Sequence, residues 1–526
     1  MNDQDPESTI KKEELFKSTP VRAPNPKKVE ELAKRIGVDL SETEVQTYCE
    51  LMKSSLQCFA EIEKIPEPTL PVKYPRLPGY RPSSAENPHN AWYWKTNIHG
   101  APDGILKGKK VAIKDNVAVY GVPMMGGSWV LEGYVPEFDA TVVTRILDAG
   151  GLIKGKAVCE DFCLSGSSFF GARGPVLNPT NPTCDAGGSS SGSAALVASG
   201  EVDMAIGGDQ GGSIRLPSSV CGVVGLKPTF GLVPYTGAQC IETTVDHLGP
   251  IAKTVSDCAL LLEAIAGYDD GLDPRQNEAK IKPIQYSKEL EITNLIKIGI
   301  LKEGFDHKES DPRVTELIKN EAAKLAGDRL LLQNVSVPMH KDGTNIWFCF
   351  GYRGLADTMM RGCSAGGGYK GFYPTSLIDA VGRGVQTQTN DLSGTLKLCW
   401  MIGEYMKHEY RGRYYGKAQN LRRLLVAEFD KVFQEVDVLV MPTIPYPPKK
   451  LPINDAGLPD LLAQAFGPVT NTMVFNTTGH PAITINAGYI DGLPIGMMLV
   501  GKMFDEVTLL KVARAYEQIS NATASQ

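Results

Sequence analysis

The sequence predicts an α/β protein in which helices cover both faces of a mixed central sheet. A helical N-terminal domain precedes this core, and a smaller domain is inserted into it. Two observations lead to this prediction. Short apolar segments typical of buried strands alternate with amphipathic helical segments along most of the chain. In addition, 526 residues, of which 42% are hydrophobic and 22% charged, are enough for a large core in two or three domains.

Residues 1–88 predict a helical domain that ends in a proline-rich linker. Asn25 and Pro26 are typical of a helix start, because asparagine caps free backbone N–H groups and proline suits the first turn. Ser41 and Glu44 have the spacing of a capping box at the start of a second helix. Both helices carry apolar stripes that have no obvious partner among these residues. We therefore predict that this domain mediates a symmetric dimer.

Two segments, residues 89–304 and 436–526, predict the α/β core. The predicted strands are KKVAIKDNVAV, LIKGKAV, VDMAIG, IKIGIL, DVLVMP and GMMLVG, and the predicted helices are TVVTRILDAG, VSDCALLLEAIAG and DEVTLLKVARAYEQI. Because helices separate apolar strands, the sheet should be mixed or mostly parallel and covered on both faces. Residues 305–435 contain long helical stretches, a glycine-rich turn and many aromatic residues. We predict that they form the inserted domain and cap the binding site.

Composition and charge argue against several classes of protein. The formal net charge of -6 at pH 7 disfavours a surface built for nucleic acid, and no apolar run is long enough to span a bilayer. The eleven cysteines are scattered, and Cys159 and Cys163 lack the nearby histidine that would complete a zinc site. We therefore expect reduced thiols, a cytoplasmic location, and no metal, cofactor, membrane or nucleic acid as partner.

The segment GGSSSGSAALVASGEVDMAIGGDQGGSIR, residues 187–215, carries the strongest chemical signal. It is not a flexible linker, because AALVASG and VDMAIGGD predict a helix and a buried strand within it. Residues 188–192 match the G-x-S-x-G nucleophile elbow, with Ser190 as nucleophile, but the preceding residues predict a loop where that motif needs a strand. An elbow also needs a histidine base, for which the downstream candidates are His247, His307, His340, His408 and His480.

A third interpretation uses both glycine–serine clusters of this segment and a lysine far upstream. The stretches GGSSSGSAALVASG, GGDQGGSIRLPSSVCGVVGLKPTFGLVP and VAIKDNV resemble the amidase signature family of serine amidohydrolases. The resemblance covers roughly residues 25–520 and is weakest over residues 305–435. It is strongest for the bacterial, enantioselective amidases of the nitrile-degradation pathway, which carry a helical N-terminal domain. It implies the amidase signature fold and hydrolysis of carboxamides to a carboxylic acid and ammonia or an amine.

The resemblance implies a catalytic triad of Lys114, Ser189 and Ser213. Ser213 is the nucleophile, and Ser189, which follows a cis peptide bond in the family, relays its proton to Lys114. A serine hydroxyl needs a base before it attacks, and an amide nitrogen needs a proton before it leaves. A neutral lysine can serve both steps, and the apolar residues of VAIKDNV favour the uncharged amine. From the residues alone, Lys114 could instead be a buried structural lysine paired with Asp115.

The resemblance also implies how the tetrahedral intermediate is stabilised. Gln210, Gly211 and Gly212 precede the nucleophile and have little side-chain bulk near the backbone, so we expect them to form the oxyanion hole. Three residues of the motif are expected to support this arrangement without reacting: Ser190, Asp209 and Arg215. Of these, the two charged residues flank the turn and should pair with each other.

Phe169 and Trp347 correspond to positions that face the acyl channel in the nitrile-pathway enzymes, so the substrate should carry an apolar or aromatic acyl group. Packing in the core is the alternative for each of these two residues. The same acyl-enzyme chemistry would serve an ester or carbamate hydrolase. A transamidase subunit that works on charged transfer RNA is another alternative, which the helical N-terminal domain and acidic balance disfavour. His480, beside a proline in a loop, is expected to be structural.

Overall fold

The structure, a computed structural model, describes residues 21–453 and 455–524, with side chains described up to residue 520. The chain divides into two compact units, residues 1–70 and residues 71–526. The first 20 residues of the predicted N-terminal domain lie outside the described residues.

Three helices make up the described part of the first unit: α1 (Pro26–Ile36), α2 (Glu42–Ser55) and α3 (Gln57–Ile62). Asn25 caps α1 by accepting a hydrogen bond from the backbone N–H of Lys28 at 2.9 Å. Ser41 and Glu44 form the complete capping box of α2. Both predicted helix starts are therefore confirmed. Several large apolar side chains of this unit remain exposed: Ile36, Tyr48, Leu51, Phe59, Ile62 and Ile65. A role in dimerisation remains a prediction.

The described part of the second unit contains one sheet of eleven strands in the order β1-β3-β2-β4-β6-β5-β10-β11-β9-β7-β8. The strands are β1 (Trp92–His99), β2 (Lys110–Lys114), β3 (Leu152–Ala157), β4 (Met204–Gly208), β5 (Val224–Lys227), β6 (Leu248–Ala252), β7 (Ile296–Leu301), β8 (Leu330–Val335), β9 (Val438–Pro442), β10 (Ala482–Ile490) and β11 (Leu493–Gly501). Strands β3, β2 and β4 are parallel, as are β9, β7 and β8. The pairs between these two groups are antiparallel, so the predicted mixed sheet is confirmed.

Helices cover both faces of this sheet, which also agrees with the prediction. They are α4 (Thr141–Asp148), α5 (Ser191–Ser199), α6 (Arg215–Cys221), α7 (Val255–Ile265), α8 (Pro312–Ala323), α9 (Gly343–Gly354), α10 (Thr375–Thr387), α11 (Gly394–Tyr410), α12 (Arg413–Val432), α13 (Leu458–Phe466), α14 (Thr472–Thr478) and α15 (Glu506–Ala524). The core contains the apolar residues of the sheet, among which those of β2 and β4 are fully buried.

The sequence analysis did not predict five of the described strands: β1, β5, β6, β8 and β10. Strand β5 has only four residues and β6 contains a proline, so neither has the apolar pattern of a typical strand. Strand β8 lies within residues 305–435, the segment predicted to form an inserted domain. It pairs in parallel with β7 and extends the main sheet. The capping role of residues 305–435 remains a prediction.

Candidate active site

Two parallel strands bring distant parts of the sequence to one edge of the sheet. Strands β2 and β4 are direct neighbours, with Ile113 paired to Ile206. Lys114 is the last residue of β2 and Gly208 is the last residue of β4. Because the carboxyl ends of parallel strands meet at the same edge, the Lys114 side-chain nitrogen Nζ reaches the Gly208 carbonyl at 3.2 Å. The second glycine–serine cluster begins at this point.

Lys114 also contacts the first glycine–serine cluster. Its Nζ donates a hydrogen bond to Ser189 Oγ at 2.9 Å, and both residues are fully buried. The Gly188–Ser189 peptide bond is cis, as the family resemblance implies. Asp115 is not the partner of Lys114, so that alternative is wrong. The Asp115 carboxylate lies instead 3.0 Å from Lys156 Nζ, in a separate buried ion pair.

Ser213 lies beside this pair, between β4 and α6. Its carbonyl oxygen accepts a hydrogen bond at 3.2 Å from the backbone N–H of Ser190, the residue that follows Ser189. Its side chain is 7% exposed and lines a small cavity of about 30 Å³. The structure thus brings all three residues of the predicted triad to one place. Lys114 is hydrogen-bonded directly to Ser189. The two glycine–serine clusters are linked by the backbone hydrogen bond between Ser190 and Ser213.

The hydroxyl group of Ser190 is fully engaged in structural hydrogen bonds. Ser190 Oγ donates to the Gly208 carbonyl at 3.1 Å and accepts from the Gly208 N–H at 3.2 Å. It therefore ties the first cluster to strand β4 and does not face the small cavity as a nucleophile would. This geometry supports a structural role for Ser190 and contradicts the nucleophile-elbow interpretation.

The histidines that an elbow would need have other partners. His247 contacts the carbonyl of Val245, and both His307 and His340 contact the amide oxygen of Asn471. His408 contacts Glu409, and His480 contacts Asp430. Burial lowers the pKa of His480, and burial together with Lys227 lowers that of His247. Both side chains are therefore neutral structural groups at neutral pH.

A buried ion pair shapes the turn before Ser213. The Arg215 guanidinium donates two hydrogen bonds to the Asp209 carboxylate, at 3.0 and 2.9 Å, and both side chains are fully buried. The carboxylate also accepts the backbone N–H groups of Gly212 at 2.8 Å and Ile214 at 3.1 Å. Burial alone would raise the pKa of Asp209, but the neighbouring Arg215 outweighs it and holds this pKa well below its usual range.

This geometry corrects one part of the predicted oxyanion hole. The N–H of Gly212 points to Asp209 and is therefore not free to bind an oxyanion. Gly212 has another reason to be glycine: its φ is +137°, and a Cβ would lie 2.3 Å from Thr472 Oγ1. Gly211 is also approached by α14, because a Cβ there would lie 3.1 Å from Met473.

Two residues of α14 complete the turn, and the sequence analysis missed both. Asn476 donates to Asp209 Oδ1 at 2.8 Å and accepts from Arg215 at 2.6 Å. Thr472 Oγ1 donates to the Gly211 carbonyl at 2.6 Å. Asn476 and Thr472 lie over 250 residues from the turn in sequence, and no local pattern marks them.

The small cavity beside Ser213 has an apolar wall drawn from several segments. It is lined by Cys163, Leu164, Ser165, Gly166, Gln210, Gly211, Ser213, Leu216, Ile241, Trp347, Phe466, Val469 and Met473. Trp347, on α9, lines the cavity as predicted, and its indole N–H donates to the Gln210 carbonyl at 2.7 Å. Phe169 is not among the lining residues. It packs on Phe170 instead, with 4.9 Å between the two ring centroids.

Cys163 is a further residue of the site that the sequence analysis considered only as a metal ligand. It lines the cavity and lies beside Lys114 and Ser189. Burial alone raises the pKa of a thiol, but hydrogen bonding to Cys159 and the nearby Lys114 lower that of Cys163 to about 7.

Similarity to known proteins agrees with this geometry. The sequence profile of the Amidase family matches residues 81–510. The chain belongs to the amidase signature family. The chain is 42% identical over 501 residues to an enantioselective amidase of Rhodococcus rhodochrous, with 95% of this chain and 96% of the relative covered. The family together with this amidase relative identifies the chain as an amide hydrolase.

A second group of relatives has a different named activity. A glutamyl-tRNA(Gln) amidotransferase subunit of Halobacterium salinarum is 36% identical over 82% of this chain and 99% of its own length. The crystal structure of the glutamyl-tRNA(Gln) amidotransferase subunit of Thermotoga maritima superimposes with a TM-score of 0.68 at 30% identity, over 82% of this chain and 88% of that one. The family fold is therefore shared by amidases and amidotransferase subunits.

Among the described residues, no helix is long and apolar enough to cross a membrane. The same part of the chain contains no group of three or more histidine, cysteine, aspartate or glutamate side chains placed to hold a metal ion.

Proposed function

We propose that this amide hydrolase acts through an acyl-enzyme on Ser213, with Lys114 as the base and Ser189 as the relay. The observation that carries the proposal is the buried hydrogen bond of 2.9 Å between Lys114 Nζ and Ser189 Oγ, beside a serine that lines a cavity. The family membership supports this assignment, and the structural partners of Ser190 leave Ser213 as the better nucleophile.

Each proton in the reaction has a donor and an acceptor in this arrangement. As Ser213 Oγ attacks the carbonyl carbon, its proton passes to Ser189 while the proton of Ser189 passes to the neutral Lys114 amine. The carbon–nitrogen bond then breaks, and the ammonium of Lys114 returns a proton through Ser189 to the leaving nitrogen. Water attacks the acyl-enzyme by the same path and releases the carboxylic acid.

The oxyanion needs backbone donors other than Gly212. Within the described residues, the N–H groups of Gly211 and Ser213 have no protein acceptor. We assign them, together with the N–H of Gln210, to the oxyanion hole, since unused donors at the nucleophile are what a developing negative charge requires. In this assignment Gly212 shapes the turn by bonding Asp209.

The apolar wall of the small cavity supports an apolar or aromatic acyl group. Gln210 adds a preference for amides over esters. Its Nε2 donates to the Tyr235 hydroxyl at 2.9 Å, while its Oε1 is buried and has no hydrogen-bond partner among the described residues. An amide substrate would donate its N–H to this oxygen, whereas an ester has no such donor. Hydrolysis of esters or carbamates at the same site is the alternative activity.

We also propose a cytoplasmic homodimer that needs no cofactor. All eleven cysteines are unpaired, which is typical of a reducing compartment. The exposed apolar residues of α1, α2 and α3 are the surface that a second copy would cover. Light scattering on the full chain and on a chain that begins at Pro71 tests the dimer. We expect a dimer and a monomer respectively, and two monomers would contradict the proposal.

The similarity to amidotransferase subunits makes a transamidase subunit the other candidate function. Purified chain should be assayed alone on benzamide, an anilide, an ethyl ester and a carbamate. We expect turnover of benzamide without any partner protein, and a single fluorophosphonate adduct on Ser213 by mass spectrometry. Turnover that requires added subunits and charged transfer RNA would favour the transamidase. An adduct on Ser190 would overturn the triad.

A further inference from the structure

A second cavity, of about 270 Å³, lies in the large unit and is far larger than the 30 Å³ cavity beside Ser213. Its lining comes from residues 230–244, 272–275 and 364–374, and from Arg422 on α12. No residue of the proposed triad lines it. This volume approaches the range of small-molecule sites, roughly 300–1,000 Å³.

Aromatic and apolar side chains form most of the wall. The rings of Phe230, Tyr235, Tyr369 and Phe372 line the cavity, together with Leu272 and two prolines. Tyr369 stacks on Tyr373 with 4.5 Å between ring centroids, and the hydroxyl of each bonds to the backbone. The aromatic part of the wall is therefore held in place, and it suits a flat apolar body.

Two guanidinium groups reach this cavity, and they differ in how they are paired. Arg275 donates to both oxygens of Asp273, at 2.7 and 2.6 Å, and stacks 4.6 Å from the ring of Tyr235. Arg422 lies 5.9 Å from the ring of Phe230, and in the part of the chain that the structure describes it forms no hydrogen bond or ion pair. An arginine has five N–H donors, and a partly buried cation without an anion is costly. Burial lowers the pKa of Arg422, and Glu242 opposes this shift from a distance without an ion pair, so no described carboxylate contacts this guanidinium.

The nearby carboxyl groups do not supply that anion fully. Burial raises the pKa of Glu242 to about 7, and that of Asp246 to about 6 even though Arg275 opposes the shift. Glu242 also accepts hydrogen bonds from the hydroxyls of Thr244 at 2.9 Å and Tyr415 at 3.2 Å. Near neutral pH its charge is incomplete, and it is already engaged by these two donors.

We propose that this cavity binds a small carboxylate with an aromatic body, whose anionic group pairs with Arg422 while its ring packs among the aromatic side chains. Arginine suits this task because its planar donors match the two oxygens of a carboxylate. The hydroxyls of Thr243 and Ser364 also line the cavity. The binding site itself is independent of the proposed catalytic function.

One residue connects the cavity to the catalytic loop. The ring of Tyr235 lines the cavity, while its hydroxyl donates to the Gln239 carbonyl at 2.8 Å and accepts from Gln210 Nε2 at 2.9 Å. A ligand that packs on this ring would contact the residue that orients Gln210. We therefore expect the ligand to change turnover without competing with the substrate. This consequence rests on the proposed function.

Titration calorimetry of the full chain with sodium benzoate tests the binding site. We expect saturable binding that Arg422→Gln weakens at least tenfold, whereas Arg423→Gln, which removes the neighbouring arginine, leaves binding unchanged. Benzyl alcohol, which has no charge, should bind weakly and equally to both variants. No binding at ~10 mM benzoate, where a millimolar Kd would be evident, or equal binding by Arg422→Gln and the unmodified chain, would overturn the proposal.

Two further variants test the binding site if Arg422→Gln does not fold. Arg422→Lys keeps the positive charge and should retain part of the binding, and Thr243→Trp fills the cavity while leaving Arg422 in place and should abolish it. Benzoate should inhibit turnover noncompetitively. The Arg422→Gln variant should no longer be inhibited by benzoate at this cavity. Purely competitive inhibition that survives Arg422→Gln would place benzoate beside Ser213 instead. Because calorimetry needs no turnover, it separates failure of this site from failure of the proposed catalysis.

Discussion

The molecule contains two glycine–serine clusters, the first at residues 187–191 and the second at residues 209–213. They have similar residues, but different interactions fix their backbones. The hydroxyl of Ser190 ties the first cluster to the sheet by bonding both polar groups of the last residue of β4. The Asp185 carboxylate also accepts the N–H of Gly187 at 2.7 Å. A fully buried ion pair between Asp209 and Arg215 holds the second and takes up two backbone N–H groups of its own turn.

The difference follows from what each cluster has to do. The first cluster presents one hydroxyl, that of Ser189, to Lys114. In the proposed mechanism the second cluster holds backbone donors toward a developing oxyanion, which requires a turn that cannot relax. A buried carboxylate supplies that rigidity, because removing either partner leaves an uncompensated charge. Two clusters of similar composition therefore have different structural roles.

The largest expected effect is the loss of the proton path. Lys114→Met should lower kcat/KM for benzamide by about 10⁴-fold or more, because it removes both base and acid from residues that act as a unit. Lys110→Met, at the exposed start of the same strand, is the matched control and should retain near-normal activity. The pH profile of kcat/KM should survive His247→Ala and His480→Ala. A profile that disappears with either histidine, while Lys114→Met stays active, would contradict the triad.

The second prediction breaks the ion pair of the second cluster. Asp209→Asn should lower kcat by about 10²–10³-fold, as does loss of an oxyanion donor, and should lower the free energy of unfolding by about 3–5 kcal/mol because Arg215 stays buried without its anion. Asp270→Asn, at an exposed turn, is the control. Chemical denaturation and steady-state kinetics measure both effects, and an unchanged stability would show that the pair does not hold the turn.

The same pair has a predictable pH dependence. Since the pKa of Asp209 in the fold lies well below its usual value, its contribution to stability is complete above the unfolded pKa of about 3.9. It is lost only as the pH falls below that value, toward the folded pKa. The difference in stability between the unmodified chain and Asp209→Asn should therefore be constant near neutral pH and shrink in acid.

The third prediction separates the side chain of Gln210 from its backbone. Gln210→Leu should lower kcat/KM for benzamide by about 10–100-fold, because the substrate N–H loses its acceptor. Turnover of a matched ester should fall less than threefold, a change below about 1 kcal/mol, because it makes no such bond. Parallel assays on the two substrates provide the internal control. An equal loss for both would assign Gln210 to the general shape of the site.

The smallest effect tests the neutral support of the first cluster. Ser190→Ala removes two hydrogen bonds to strand β4 and should lower the free energy of unfolding by about 1–3 kcal/mol, with a moderate loss of activity. Ser191→Ala is the matched control, because Ser191 is equally buried but its hydroxyl has no hydrogen-bond partner among the described residues. Thermal denaturation of both variants checks this, and equal melting temperatures would refute the role of Ser190.

The sequence alone determined the features that depend on neighbouring residues. The caps of α1 and α2 follow from Asn25 and from the pair Ser41 and Glu44, because a capping side chain reaches only the next turn of its own chain. Six of the eleven described strands follow from their apolar segments, whereas the long strands β1 and β10 do not. The proposed triad of Lys114, Ser189 and Ser213 comes from the resemblance of short motifs to the amidase signature family.

Only the tertiary structure decided which groups face each other across the fold. It paired Asp115 with Lys156 rather than Lys114, turned the N–H of Gly212 toward Asp209, and brought Asn476 to the same carboxylate. It also placed Trp347 at the small cavity and left Phe169 elsewhere. These choices depend on the packing of elements far apart in sequence, where direction and distance are set by the sheet and helices and not by any local pattern of residues.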